Sequence, residues 1–283
     1  MGSEMCIRDS RKSWFKDAGL AIPRTWDEFE LAAEKLTKFD SKGEKIQVGW
    51  GVDNSDGYFG VLVPLGWGAE VELFDKKNLR CNADTEKGRQ VMNFFLGLLK
   101  KGYTNLGWMD IWQVYTSGKA GMIIADPWFA KLIIKDQGEE GIYEDSAVTY
   151  IPTPNGKNFC SMSSGWTMFV AKSSKNKDAA WRFIRWLNDG PEWRFNKFLV
   201  ERIGCLPSSK DFDSFVGWSK DIKEGYLKCA EVARKAPMLI GIEEIFDTLR
   251  TECEKAAFGE QPIENTIEKL ARKITGIMLK TEK

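Results

Sequence analysis

The chain has 283 residues, 43% of them hydrophobic, enough for one large domain or two smaller ones around a sizeable core. Lysine plus arginine and aspartate plus glutamate each total 41, so no bulk positive field gathers phosphate backbones, and nucleic acid and membrane surfaces are poor candidates for the main partner. There is no histidine, which removes the commonest general base and the commonest metal ligand together, and no stretch approaches the ~20 apolar residues of a membrane helix.

The opening ten residues, MGSEMCIRDS, join abruptly to a segment that already reads as a domain interior. Residues 1–10 read as a non-native, adapter-like start and are set aside together with Cys6. Thr25-Trp26-Asp27-Glu28 is a capping box after Pro23, and Phe29, Ala32, Ala33 and Leu36 recur at helical spacing, which predicts a helix over about 26–38. A strand follows over 46–52, between Gly43 and Asp53-Asn54. A second helix is expected over about 85–100, capped by Asp84, stopped by Gly102, and apolar on Val91, Phe94, Phe95, Leu98 and Leu99. Residues 111–116 make a short helical turn that Gly118 separates from a strand over 120–125, and Pro127 suits the first turn of another helix. Strands are expected at 147–151 and 166–171, then a helix capped by Asn176 and stopped by Gly190, with Pro191 starting the next. From Ser219 onward the pattern is all helix, broken near Pro237, Gly241 and Pro262. Strands alternating with helices and closed by a helical tail indicate an α/β architecture.

Several kinds of chemistry lack their residues. The cysteines after Cys6, namely Cys81, Cys160, Cys205, Cys229 and Cys253, are widely spaced without a CxxC pair, so neither a zinc site nor a disulfide framework follows. No GxxxxGK[ST], GxGxxG or GxSxG is present, and no cofactor, metal or catalytic residue is assigned. Paired carboxylates for glycoside cleavage remain open, with Asp56, Glu70, Asp110 and Asp126 nearest to aromatic residues. Tryptophans beside turn residues carry more information: Gly66-Trp67-Gly68, Trp108 before Asp110, Asp126-Pro127-Trp128 and Ser164-Gly165-Trp166. Flat rings alternating with short acceptors suit a sugar, which presents C–H faces to rings and hydroxyls to carboxylates.

Three segments in order resemble one family. Ala18-Gly19-Leu20, Pro23 and Thr25-Trp26-Asp27-Glu28-Phe29 make the first. Ser117-Gly118-Lys119-Ala120-Gly121-Met122 with Asp126-Pro127-Trp128 makes the second. Gly165-Trp166, Ala171-Lys172-Ser173-Ser174-Lys175-Asn176-Lys177 and Ala180-Trp181-Arg182-Phe183-Ile184 make the third. Together they are similar to the bacterial extracellular solute-binding proteins of the maltose-binding, family 1 type. The resemblance implies a type II periplasmic-binding fold of two lobes with a hinge, the first lobe incomplete and the chain truncated at its amino terminus. Residues 14–163 and 215–283 would form the second lobe, and 164–214 the return segment of the first, with the crossover within 152–164 and a second candidate at 204–209.

Carried over by position, the resemblance implies ligand contacts from Asp56, Tyr58 and Phe59 on a cleft loop, and from Trp108, Asp126 and Trp128. It adds Gly165 and Trp166, where Ser164 stands for the family's first glycine, and Phe246 on a late helix. Trp67 has no counterpart and reads as a turn residue. The implied function is capture of a sugar or oligosaccharide, without chemistry, by a monomeric extracytoplasmic component of an ABC importer that delivers it to a membrane permease. A glycerol-phosphate diester, a polyamine or a peptide in the same machinery is the first alternative, and a glycosidase-like enzyme the second.

Overall fold

The computed structural model describes residues 4–53, 57–126, 142–165, 168–188, 194–205 and 219–280. In chain order it opens with strand β1 (Glu4–Arg11), helices α1 (Lys12–Asp17) and α2 (Trp26–Leu36), strands β2 (Lys38–Phe39) and β3 (Lys45–Gly51), and helix α3 (Gly57–Gly68). A hairpin of β4 (Phe74–Asp75) and β5 (Arg80–Cys81) leads to helices α4 (Glu86–Lys100) and α5 (Ile111–Thr116) and strand β6 (Ala120–Ala125). Helix α6 (Ile142–Asp145) and strands β7 (Ser146–Thr149) and β8 (Ser161–Ser164) follow, then helices α7 (Lys177–Asn188) and α8 (Arg194–Phe198), the latter continued by a π turn at Leu199–Ile203. Helix α9 (Lys220–Glu231), strand β9 (Ala233–Lys235) and helices α10 (Ile242–Ala257) and α11 (Ile263–Lys280) complete it. The architecture is mixed α/β, as the alternation in the sequence requires.

Seven of these strands form one sheet in the order β2-β3-β6-β1-β8-β9, with β7 also paired to β1. β3 runs parallel to β6, β9 runs parallel to β8, and β1 is antiparallel to β6, β7 and β8. It follows that β3, β6, β7, β8 and β9 all point one way and β1 points the other. The opening residues, set aside on their sequence, thus lie at the middle of the sheet. Strand pairing uses backbone N–H and C=O groups, which every non-proline residue carries, so the ladder does not depend on a particular side-chain sequence in this segment.

Helix α2 starts where the sequence places it. Thr25 accepts from the Glu28 amide at 3.2 Å, and the Glu28 carboxylate accepts from the Thr25 amide at 3.0 Å. These backbone bonds, led by the one from Arg24, hold the Glu28 carboxyl below its ordinary pKa. α2 lies directly on β3, since a Cβ on Gly49 would stand 1.9 Å from the Ala33 carbonyl oxygen. Helix α4 is capped by Thr85 rather than Asp84: the Thr85 hydroxyl accepts from the Gly88 amide at 3.2 Å, while Asp84 pairs with Arg80 at 3.1 Å. Its face is as expected, with Val91, Phe95, Leu98 and Leu99 buried and Phe94 half-buried against Trp26, the two rings stacked 4.5 Å apart.

The largest departure is α3. Gly66 to Gly68, expected as a turn, is the end of this helix, in which every residue from Tyr58 to Gly68 is buried. A helix covered on all sides is apolar on all sides, so it shows no 3.6-residue period to read. Strand β8 replaces the strand expected over 166–171, whose residues 168–171 are not extended in pairing, and β9 interrupts the tail read as all helix. Pro127, Gly190 and Pro191, expected at helix ends, lie outside the described residues. The start of the segment expected as a crossover is tied down: the Trp26 amide donates to the Thr153 carbonyl, the Thr153 amide to the Arg24 carbonyl, and the Trp26 indole to the Pro152 carbonyl.

Two apolar clusters hold the described residues together. The larger draws on α2, α3, α4, α10 and α11, and the smaller gathers Val48, Ile111, Val114, Tyr115, Ala120 and Ile123. Between α10 and α11 a buried carboxylate, Glu252, accepts from Lys273 at 2.6 Å and from Gln261 at 2.9 Å, and Gln261 in turn donates to Thr266.

Candidate ligand-binding site

Strand direction decides where the sequence candidates meet. The parallel strands β3, β6 and β8 all point the same way, β6 ending opposite Ile7 of β1 and β8 running on from Cys6 to Glu4, and the next residues along the chain are Tyr58 and Phe59 after β3, Asp126 after β6 and Gly165 after β8. β9 points that way as well and leads into α10, which carries Phe246. Ligands of open α/β sheets bind outside the carboxyl ends of the strands, where helix and loop starts offer free backbone groups. Segments widely separated in sequence therefore leave the sheet toward the part of this fold best suited to binding.

Asp56, Trp128 and Trp166 lie outside the described residues. Asp126 is half-exposed directly beyond β6, and Gly165 is exposed beyond β8. Phe246 is half-buried and meets Phe59 edge-on, with ring centroids 5.5 Å apart. Phe246 thus packs on the buried ring that follows β3.

Tyr58 and Phe59 themselves require correction. They stand not on a cleft loop but in the first turn of buried α3, with 0% and 5% of their surface exposed, so neither presents a face to a ligand in this conformation. Phe59 packs against Phe74 at 4.7 Å and Tyr58 edge-on against Phe95 at 5.2 Å. The Tyr58 hydroxyl has no hydrogen-bond partner among the described residues. Burial, followed by the nearby Cys253, Glu254 and Asp53, raises its pKa far above that of an ordinary tyrosine, so it stays protonated.

Trp108 is half-buried on the edge of the smaller cluster, and the Lys119 ammonium lies 5.7 Å from its ring centre. Trp67 is only 6% exposed: its indole donates to Glu72 at 2.7 Å, and the Arg234 guanidinium lies 4.3 Å from its ring centre. Cation–π contact thus occupies both rings. One positioning residue, Asn105, escaped the sequence reading. Its side-chain oxygen accepts from the Val52 amide at 2.7 Å and its amide donates to the Met109 carbonyl at 2.8 Å, which ties the exit of β3 to the turn bearing Trp108. The signal available for it was an Asn two residues before Gly107, whose φ is 72°. Among the described residues no group of three or more cysteines and carboxylates is placed to hold a metal ion.

The fold has counterparts among known proteins. A putative binding protein of Brucella abortus is 24% identical and aligns over 95% of this chain and 64% of its own length. The maltotriose-binding protein of Pyrococcus abyssi is 25% identical over 65% of this chain and 39% of its own. The structure of the sugar-binding protein MalE from Xanthomonas citri superposes with a TM-score of 0.74 at 18% identity, covering 99% of this chain and 70% of that one. The fold is therefore that of the two-lobed periplasmic sugar-binding proteins, and the chain spans about two-thirds of the length of the relatives that match it along nearly its whole extent. The sequence profile of one family, described as bacterial extracellular solute-binding protein, matches residues 8–189. With a match over more than half its length, this chain belongs to the bacterial extracellular solute-binding protein family.

Proposed function

We propose that this chain is the solute-binding component of an ABC importer, that it acts outside the cytoplasm, and that it captures a sugar or oligosaccharide and delivers it to a membrane permease. The observation that carries the reading is that Asp126, Gly165 and Phe246, with the segments leading to Asp56, Trp128 and Trp166, all follow strands that point the same way. The sugar-binding relatives support it. In this reading rings supply contact area and short carboxylates fix hydroxyls, and the protein performs no chemistry. No helix among the described residues is long and apolar enough to cross a membrane.

Titration of intrinsic tryptophan fluorescence with maltotriose and a panel of monosaccharides, set against amino acids and a polyamine, tests the proposal. A saturable change with one or more sugars is expected, and Trp128→Ala should weaken binding by at least ~10-fold, the loss of about 1.4 kcal/mol of ring burial. If no sugar perturbs the signal, or if Trp128→Ala binds as tightly as the parent, the sugar reading with these residues fails.

The lobe assignment is also a proposal: residues 14–163 and 215–283 in one lobe, and 164–214 as the return segment of the other. Helix α7, within that return segment, buries none of its residues, and Trp181, Phe183 and Trp186 are 50%, 58% and 51% exposed. Such exposure leaves much of the apolar surface of this amphipathic helix in water. The chain on its own is expected to bind an apolar dye such as ANS, and Phe183→Asp should reduce that signal. Dye fluorescence unchanged by the substitution would argue against an open α7 face.

A further inference from the structure

Away from the sheet end, where the β4–β5 hairpin and the first turn of α4 meet the carboxyl-terminal half of α11, the surface opens into a groove of about 550 Å3. One wall is self-compensated: Arg80 pairs with Asp84 at 3.1 Å, and Arg89 pairs with Glu264 and lies 3.9 Å from Glu268. The α11 wall is not. Arg272, Thr275, Gly276 and Leu279 fall three, four and seven residues along from the first and so share one stripe of the helix.

Each member of the stripe is unused. Arg272 is exposed and makes no hydrogen bond or ion pair with the described residues. Thr275 accepts the Cys81 amide at 3.0 Å, but its own hydroxyl proton is donated to no described residue. A Cβ on Gly276 would meet nothing within 4 Å, so packing within the chain does not require glycine there, although glycine inside a helix costs about 1 kcal/mol relative to alanine. Leu279 is 51% exposed.

We propose that this stripe docks a segment of a partner protein in which a carboxylate stands beside small apolar side chains. The carboxylate accepts from Arg272 and Thr275, neighbours at i and i+3, in a charge-assisted pair. The partner backbone crosses the bare surface at Gly276, and an apolar neighbour covers Leu279. A free inorganic anion would leave Gly276 and Leu279 uncovered. A nucleic acid or an anionic membrane would face the carboxylates of Asp84, Glu264 and Glu268. No residue of the stripe belongs to the segments leaving the sheet end, so the proposal is independent of what the protein transports.

The test is amide chemical-shift mapping on the full chain with a capped peptide of one Glu flanked by Ala and Leu as probe. Saturable shifts are expected around 80–89 and 272–279, with affinity falling at least ~10-fold in Arg272→Glu, the removal of a charge-assisted contact. Gly276→Leu, which adds its side chain to open space and improves helix propensity, should abolish those shifts and leave distant amides unmoved. The proposal is overturned if the probe gives no saturable shifts, if Arg272→Glu or Gly276→Leu binds it unchanged, or if inorganic phosphate or a Lys–Ala peptide gives the same shifts at matched concentration.

Discussion

Gly49→Ala is expected to destabilise this protein by ~3 kcal/mol or more, although it adds a single methyl group. The new Cβ would stand 1.9 Å from the Ala33 carbonyl oxygen and 2.5 Å from the Ala33 Cα. Both are backbone atoms of α2, so no side-chain rotation relieves the contact and the whole helix must lift from β3. That movement opens the core where Phe29 meets Trp50 edge-on at 5.5 Å and where Gln47 donates to the Leu36 carbonyl at 2.7 Å. Gly97, in the middle of α4, has nothing within 4 Å of the same virtual atom. Gly97→Ala should therefore stabilise by about 1 kcal/mol through helix propensity. Urea unfolding of the two variants checks the pair: the same chemical change should move the midpoint in opposite directions, and a Gly49→Ala midpoint equal to the parent's would refute the packing argument.

The second large effect is expected at Glu252. Its side chain is 2% exposed, and it gathers Lys273, Gln261 and, at 3.8 Å, Lys255 between α10 and α11. Burial works against the charge, yet the hydrogen bonds from Lys273 and Gln261 outweigh it and hold the carboxyl below its ordinary value of 4.5. A folded pKa below the unfolded one means that the carboxylate contributes stability above about pH 4.5 and loses it as pH falls through the lower folded value. Glu252→Ala takes the carboxylate from Gln261, which keeps the residue-252 carbonyl and Thr266 as acceptors, and from the half-exposed Lys273, a loss of roughly 2 kcal/mol at neutral pH. Asp145 contributes to the same acid limb: burial is its largest influence, but bonds from Ser13 and Arg11 still lower its pKa. Unfolding followed from pH 7 to pH 3 should show a shallower acid loss in Glu252→Ala than in the parent. Identical slopes would mean that Glu252 is not the titrating group.

The candidate site was legible in the sequence to the extent that its residues sit next to strand ends. Asp126 and Gly165 directly follow strands β6 and β8, so their positions were fixed once direction was known, and Phe246 was placed by resemblance on a helix that does carry it to the sheet end. Tyr58 and Phe59 were misplaced for a physical reason. Gly57, Gly60, Pro64, Gly66 and Gly68 are turn-forming residues locally, and only burial on every side, by α4, α10 and β8, makes a helix of them. The same local rule made Gly66-Trp67-Gly68 read as a turn. Glu72, five residues on, and Arg234, distant in sequence, cover the Trp67 ring.

What the sequence determined by itself is whatever depends on neighbours along the chain: the capping box at Thr25 and Glu28, the periodic faces of α2 and α4, the strand at 120–125, and the family motifs. Only the tertiary structure decided what depends on approach through space. It set β1 between β6 and β8, because backbone pairing is indifferent to side chains. It buried α3, whose uniform apolarity has no period, and it pointed five strands the same way, so that segments far apart in sequence leave the sheet in one direction.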